Sequence, residues 1–145
     1  MDMTNEEYRN YVQKKSPASP LWKNVAKAFL VGGLICCVGQ ILITMYRQFD
    51  LSAADAAAAT SITLIFLGAL LTGLGVYDTI AKFAGAGTLV PITGFSNAVV
   101  SPALEFKSEG FITGTAAKMF IIAGPVIVFG ISSSAVYWLI LCLLN

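Results

Sequence analysis

Histidine is absent from this sequence, and acidic and basic side chains together make up only 12% of it. The missing histidine removes the commonest general base and the commonest metal ligand. A net charge of +1 leaves no basic stripe to neutralise phosphates, so nucleic acid is not expected as a partner. Cysteine is scarce too: Cys36, Cys37 and Cys142 lie inside apolar runs, without metal-ligand spacing. They read as packing residues, with lipidation or redox sensing as the alternative. No nucleophile–base pair or carboxylate cluster assembles from the spacing. No catalytic residue, metal or cofactor is therefore expected, and the chain is not read as an enzyme.

What the sequence has instead is apolar mass. Hydrophobic residues are 57% of 145, and a soluble domain of that size has too little interior to hide them. A typical soluble domain carries about 25% charged residues, twice the share here. Lipid is the simplest solvent for the remainder, and the expected fold is an all-α integral membrane protein.

Residues 1–20 form a polar arm of mixed charge ending in Ser16-Pro17-Ala18-Ser19-Pro20, which breaks any helix. The arm lacks the pattern of a cleaved leader and is expected to be retained. Residues 21–145 form the membrane domain. Trp22 between Lys23 and Lys27 marks an interface, and residues 28–46 are free of charge, close to the about 20 needed to span hydrocarbon. Ser52 is placed to cap a second span over 56–77, with Asp55 in its first turn. A last span covers 119–141, with Gly124-Pro125 and Ser132-Ser133-Ser134 as possible bends.

Residues 83–104 are equally free of charge but differ in kind. Gly85, Gly87, Pro91 and Gly94 are poor material for a continuous helix. Broken backbone at membrane depth survives only where protein or a water-filled cavity shelters it. The segment is therefore read as re-entrant or discontinuous, beside three transmembrane helices. Lys14, Lys15, Lys23 and Lys27 place the N-terminus in the cytoplasm. If the segment enters and leaves on the inner side, Lys82, Lys107 and Lys118 also stay inside, and the C-terminus lies outside. A full crossing would expose Lys107 and Lys118 outside, so charge favours re-entry.

Small residues recur on the first two spans: Gly32, Gly33, Cys36 and Gln40, then Gly68, Thr72 and Gly75, with Ser61 on the same side. Such stripes let helix backbones approach, and Gln40 can bond across. Helix packing is one reading of them and a pore lining the other. Around the broken segment, Asp78 and Lys82 are spaced to pair on one helical turn. Gly85, Gly87, Pro91, Thr93, Gly94 and Asn97 are candidates for a selectivity or gating element, whose amides and side chains face a solute. A tight interfacial hairpin is the plainer reading. Lys118 snorkels to the surface or acts in the pore.

These residues resemble a known family. Gly32-Gly33-Leu34-Ile35-Cys36, Gly39-Gln40, Leu70-Leu71-Thr72-Gly73 and Tyr77-Asp78 carry the resemblance. So do Phe83-Ala84-Gly85-Ala86-Gly87, Val90-Pro91-Ile92-Thr93-Gly94-Phe95, and Glu105-Phe106-Lys107-Ser108-Glu109-Gly110. Together they are similar to the stage V sporulation protein A membrane proteins of spore-forming Firmicutes, over about residues 20–130. The polar arm before Trp22 separates the chain from the AEb type, which starts almost at its first span. The resemblance implies a channel subunit of the spore inner membrane, moving dipicolinic acid with calcium during sporulation and germination and responding to membrane tension. It implies AEb-type and AD-type partners, contact with membrane lipid, and a homo- or hetero-oligomer. A non-conducting scaffold subunit is the alternative. A bulky residue at Gly87 or Gly94 is expected to block release.

Overall fold

The computed structural model describes residues 4–16 and 19–144, all helix and short connection with no strand among them. The helices are α1 (Asn5–Lys15), α2 (Leu21–Gln48), α3 (Ala53–Gly73), α4 (Val76–Ala84), α5 (Ile92–Glu105) and α6 (Ala117–Leu144). Tight 3-10 turns occupy Gly85–Thr88 and Phe106–Glu109, and a wide π turn over Phe111–Ala116 leads into α6. Of the expected break at Ser16–Pro20, Pro17 and Ala18 lie outside the described residues, as do residues 1–3 and Asn145.

Three stretches are long and apolar enough to cross a membrane: Leu21–Gln48, Ala53–Gly73 and Phe111–Leu144. The molecule is an all-helical membrane protein. Its packing says the same thing independently. The buried side chains are small or polar (Ala56, Ala84, Ala103, Thr60, Thr88, Thr93, Ser96), with Tyr77 the one large exception among them. Phe29, Ile62, Phe66, Val90 and Phe129 point outward. Water would forbid that distribution. Hydrocarbon is as apolar as leucine, so helices gain by close backbone approach and hydrogen bonds rather than by hiding large side chains.

Local chemistry sets the ends. The Thr4 hydroxyl accepts from the Glu7 amide while the Glu7 carboxylate accepts from the Thr4 amide at 2.9 Å, a reciprocal cap that starts α1. Ser52 caps α3 by accepting from the Asp55 amide. The second span was expected to continue to Tyr77, but α3 stops at Gly73. Gly75 sits at φ +71°, a left-handed conformation that ends the helix, and Tyr77 and Asp78 belong to α4. Lys118, expected near the start of the last span, lies beyond a full π turn, inside the continuous helical stretch that begins at Phe111. The helix passes Gly124-Pro125 without interruption.

α2 and α3 form an antiparallel pair. Gly39 lets Leu64 approach it, and the Tyr46 and Thr63 hydroxyls meet at 2.7 Å. The broken segment docks on this pair. α4 leaves the C-terminal end of α3, the Gly85–Thr88 turn lies against Ala28 and Gly32 of α2, and α5 starts beside Gly68. The direction of α5 follows from its partners. Thr93 meets Gly68 and Asn97 meets Thr72, the same offset along both chains, so α5 steps along α3 in the same sense. Ala54, Ala57 and Ser61, on that side of the opposite half of α3, stay exposed. The segment is a hairpin whose second limb heads back toward the end of α3 from which it came.

Candidate functional site

Three neutral polar links hold the hairpin. The buried Tyr77 hydroxyl, on α4, lies 3.2 Å from the Thr88 carbonyl and 3.1 Å from the Thr93 hydroxyl. A phenol has one proton, so it donates to the carbonyl and accepts from Thr93. Ser96 donates to the Ile65 carbonyl of α3 at 2.8 Å. The Thr72 hydroxyl lies 2.7 Å from the Gly68 carbonyl and 2.9 Å from the Asn97 side-chain oxygen. Its single proton serves one of them, and with the Asn97 amide turned over the second bond is made by its N–H.

Glycine supplies the rest of the fit. A Cβ on Gly87 would lie 2.7 Å from the Ala28 Cα and nearer still to its carbonyl oxygen. On Gly94 it would strike the Thr88 carbonyl within the hairpin itself. On Gly68 it would lie 3.0 Å from the Thr93 carbonyl oxygen, and on Gly32 it would lie 3.1 Å from that of Gly87. Neighbouring backbone therefore excludes a side chain at Gly87 and Gly94, as the Phe106 carbonyl does at Gly114 outside the hairpin, while at Gly32 and Gly68 a side chain would be tightly crowded. Gly33 and Gly75 meet nothing within 4 Å, so Gly33 faces open space and Gly75 serves the turn.

The remaining candidates lie around the hairpin. Gly85 is a turn glycine at φ +54°, and Pro91 precedes α5 with extended backbone. The Asp78 carboxylate and the Lys82 ammonium pair at 2.7 Å on the exposed side of α4. The hydrogen bond that the Lys82 ammonium donates to the Asp78 carboxylate, and then the charge of Asp78, raise the Lys82 pKa. The Lys27 ammonium sits 4.7 Å over the Phe83 ring and that of Lys118 sits 3.7 Å over Phe106, so aromatic faces meet both cations. Gln40 is exposed in a surface groove with Cys37, Thr44 and Gln48, away from the hairpin, and Cys36 is exposed beside Gly87. The stripe that put Gln40 with Gly32 turns out of the contact because the face toward the hairpin and α3 is carried by Ala28, Gly32 and Gly39.

Two of the residues expected to line a path, Thr93 and Asn97, spend their polar atoms on Tyr77 and Thr72. They hold the hairpin in this state. Tyr77 itself was not singled out from the sequence. The signal was available: Tyr77, Ile80, Ala81 and Ala84 recur at helical spacing and carry the packed face of α4, while Asp78 and Lys82 carry the other. A cavity of about 170 Å³ lies between Tyr77, Ile80, Leu67, Leu71 and Val38.

The docked hairpin, α3 and most of α2 and α6 fall within residues 24–140, which match the SpoVAC/SpoVAEB sporulation membrane protein family. The chain belongs to that family. Within it, the chain is 50% identical over 141 residues to stage V sporulation protein AC of Bacillus subtilis (strain 168), covering 95% of this chain and 94% of the relative. The likeness read from the motifs between residues 20 and 130 thus holds over nearly the whole SpoVAC/SpoVAEB protein. The polar arm before Trp22 pointed to the same branch as this relative. No solved structure matches the chain.

Proposed function

We propose that this SpoVAC/SpoVAEB family chain is a channel subunit, not an enzyme, in the inner membrane of the spore, and that it conducts dipicolinic acid with its calcium. One observation carries the reading. The broken segment is held to α2 and α3 by hydrogen bonds between neutral groups and by glycine contacts, with no buried ion pair. A body held that way can shift without dragging a charge through hydrocarbon, which is what a gate inside a membrane requires. In the docked state its polar atoms are paired with the protein, so this state is shut. Opening trades those bonds for water and solute, and membrane tension is the proposed stimulus.

The hairpin enters and leaves on the N-terminal side, which faces the spore core, and α6 makes the third crossing. One copy encloses no solute-sized path among its described residues, so the conduit is shared with further copies or with AEb-type and AD-type partners. The scaffold reading draws on α6: every residue from Pro125 to Leu144 is exposed, a whole helix offered to neighbours or lipid. Purified chain in liposomes loaded with dipicolinate separates the two. Release from liposomes holding this chain, alone or with its partners, and its rise when a side chain at Gly87 wedges the hairpin away from α2, supports the channel. Release that needs the partners and ignores every substitution in the hairpin leaves this chain a scaffold.

A further inference from the structure

We propose that α1 is a lipid-binding helix that lies on the membrane surface beside α2 and grips anionic phospholipid. Among the described residues α1 has no substantial packing on another element, and Tyr8 is 62% exposed and Tyr11 52%. These two residues, Val12 and Lys15 recur at the helical spacing i, i+3, i+4 and i+7, which sets them in one stripe. Cations border it. At about 100° per residue, Arg9 lies beyond Val12 on one edge and Lys14 beyond Tyr11 on the other, each roughly 60° away. The Lys15 ammonium stays 5.9 Å from the centre of the Tyr11 ring, its stem within the stripe.

The described acidic residues of α1 divide: at about 100° per residue Glu7 lies on the Lys14 border, roughly 40° from Tyr11, where the cations still outnumber it. Glu6 falls on the opposite face. Glu7 is held at the N-terminus by the Thr4 amide and hydroxyl, whose hydrogen bonds lower its pKa and keep it ionised there. An aromatic stripe with cations on both borders matches a surface of acyl boundary and anionic phosphate, and it does not match a neutral or basic protein face. Covalent geometry puts that surface within reach. Only residues 16–20 separate Lys15 from Leu21, the start of a membrane-spanning helix, and an extended chain of that length reaches roughly 20 Å at about 3.4 Å per residue. Trp22, Lys23 and Lys27 already mark the interface there.

Amide hydrogen exchange of the full chain in lipid nanodiscs tests this, with α2 amides as the internal control for an intact membrane domain. Each cation near an anionic surface is worth roughly a five-fold gain in binding, so Arg9, Lys14 and Lys15 together give a gain on the order of 100-fold. α1 amides are expected to exchange on the order of 100-fold more slowly in discs containing anionic phospholipid than in purely zwitterionic discs. Two variants are each expected to restore fast exchange: Arg9→Gln with Lys14→Gln and Lys15→Gln, and Tyr8→Ser with Tyr11→Ser. Serine and tyrosine have nearly equal helix propensity, so the second pair removes the stripe without unwinding the helix. Equal α1 exchange in both kinds of disc overturns the proposal. So does slowing that survives loss of the tyrosines, which would assign α1 to a protein partner.

Discussion

Replacing Gly87 by alanine is the sharpest test of the docked hairpin. The added Cβ would lie 2.7 Å from the Ala28 Cα, whereas ordinary van der Waals contact begins at 3.4 Å. The turn and α2 must therefore separate by at least 0.7 Å, since both partners are backbone and neither can rotate away. Overpacking of this kind costs about 1–3 kcal/mol. At about 1.4 kcal/mol per decade, that raises the undocked population roughly 5- to 150-fold. Gly33 is the control: it lies one residue from Gly32 on the same helix, yet a Cβ there meets nothing within 4 Å. Gly33→Ala removes a helix-interior glycine and is expected to be neutral or to stabilise by up to about 1 kcal/mol. The assay is alkylation of Thr93→Cys, a buried position, with the three exposed native cysteines replaced by alanine. Alkylation is expected to quicken roughly 5- to 150-fold with Gly87→Ala and to stay unchanged with Gly33→Ala. Equal rates in the two variants would refute the reasoning. Dipicolinate leak should rise with the alkylation rate, which turns round the expectation from sequence that a side chain at Gly87 blocks release. On the proposed function the docked state is the shut one, so a wedge should open it.

Tyr77→Phe leaves the Thr88 carbonyl and the Thr93 hydroxyl without their shared partner. It should lower stability in detergent by about 1–3 kcal/mol, read from thermal unfolding. Asp78→Asn breaks a pair that is exposed on both sides and should leave unfolding and release unchanged; a large loss would mean that the pair faces a closed site. Because the Glu7 pKa is lowered in the folded arm, its share of α1 stability is fully present above the ordinary value of 4.5. That share is lost as pH falls through the lowered value, which amide exchange of α1 in zwitterionic discs between pH 7 and 3 would follow, both limits approximate. If α2, α3 and α6 cross while the hairpin returns, as proposed, a reporter fused after α6 should read out on the opposite side of the membrane from one fused before α1; both reporters on one side would show α5 to be a crossing helix.

Much of the fold was legible in the chain because its signals are local. Residues 28–46 contain no charge and lie within α2. Gly85, Gly87 and Pro91 announced the interruption that the Gly85–Thr88 turn and the start of α5 now occupy. Ser52 read as a cap because capping needs only the amide three residues on. The end of the second span was missed by a few residues. Hydropathy continues through Leu74 and Val76, and only the left-handed Gly75 between them shows that the backbone has turned. Among the site residues, Gln40 was drawn in by a four-residue repeat, and Tyr77 was passed over because it was read as the last residue of the second span, whereas it belongs to the first turn of α4.

Composition and periodicity alone established that this chain lives in lipid, roughly where it crosses, and where its backbone breaks. Each of those is a sum over neighbours in sequence, and transfer from water to hydrocarbon adds up residue by residue. Which small residues matter was decided only by the tertiary structure. Gly32 meets Gly87, Gly68 meets Thr93, and Thr72 meets Asn97, pairs far apart in the chain and separated by turns whose geometry fixes the register. Gly33 has the same chemistry as Gly32 and a different fate, because one residue on a helix is about 100° of rotation and the neighbour lies on one side only.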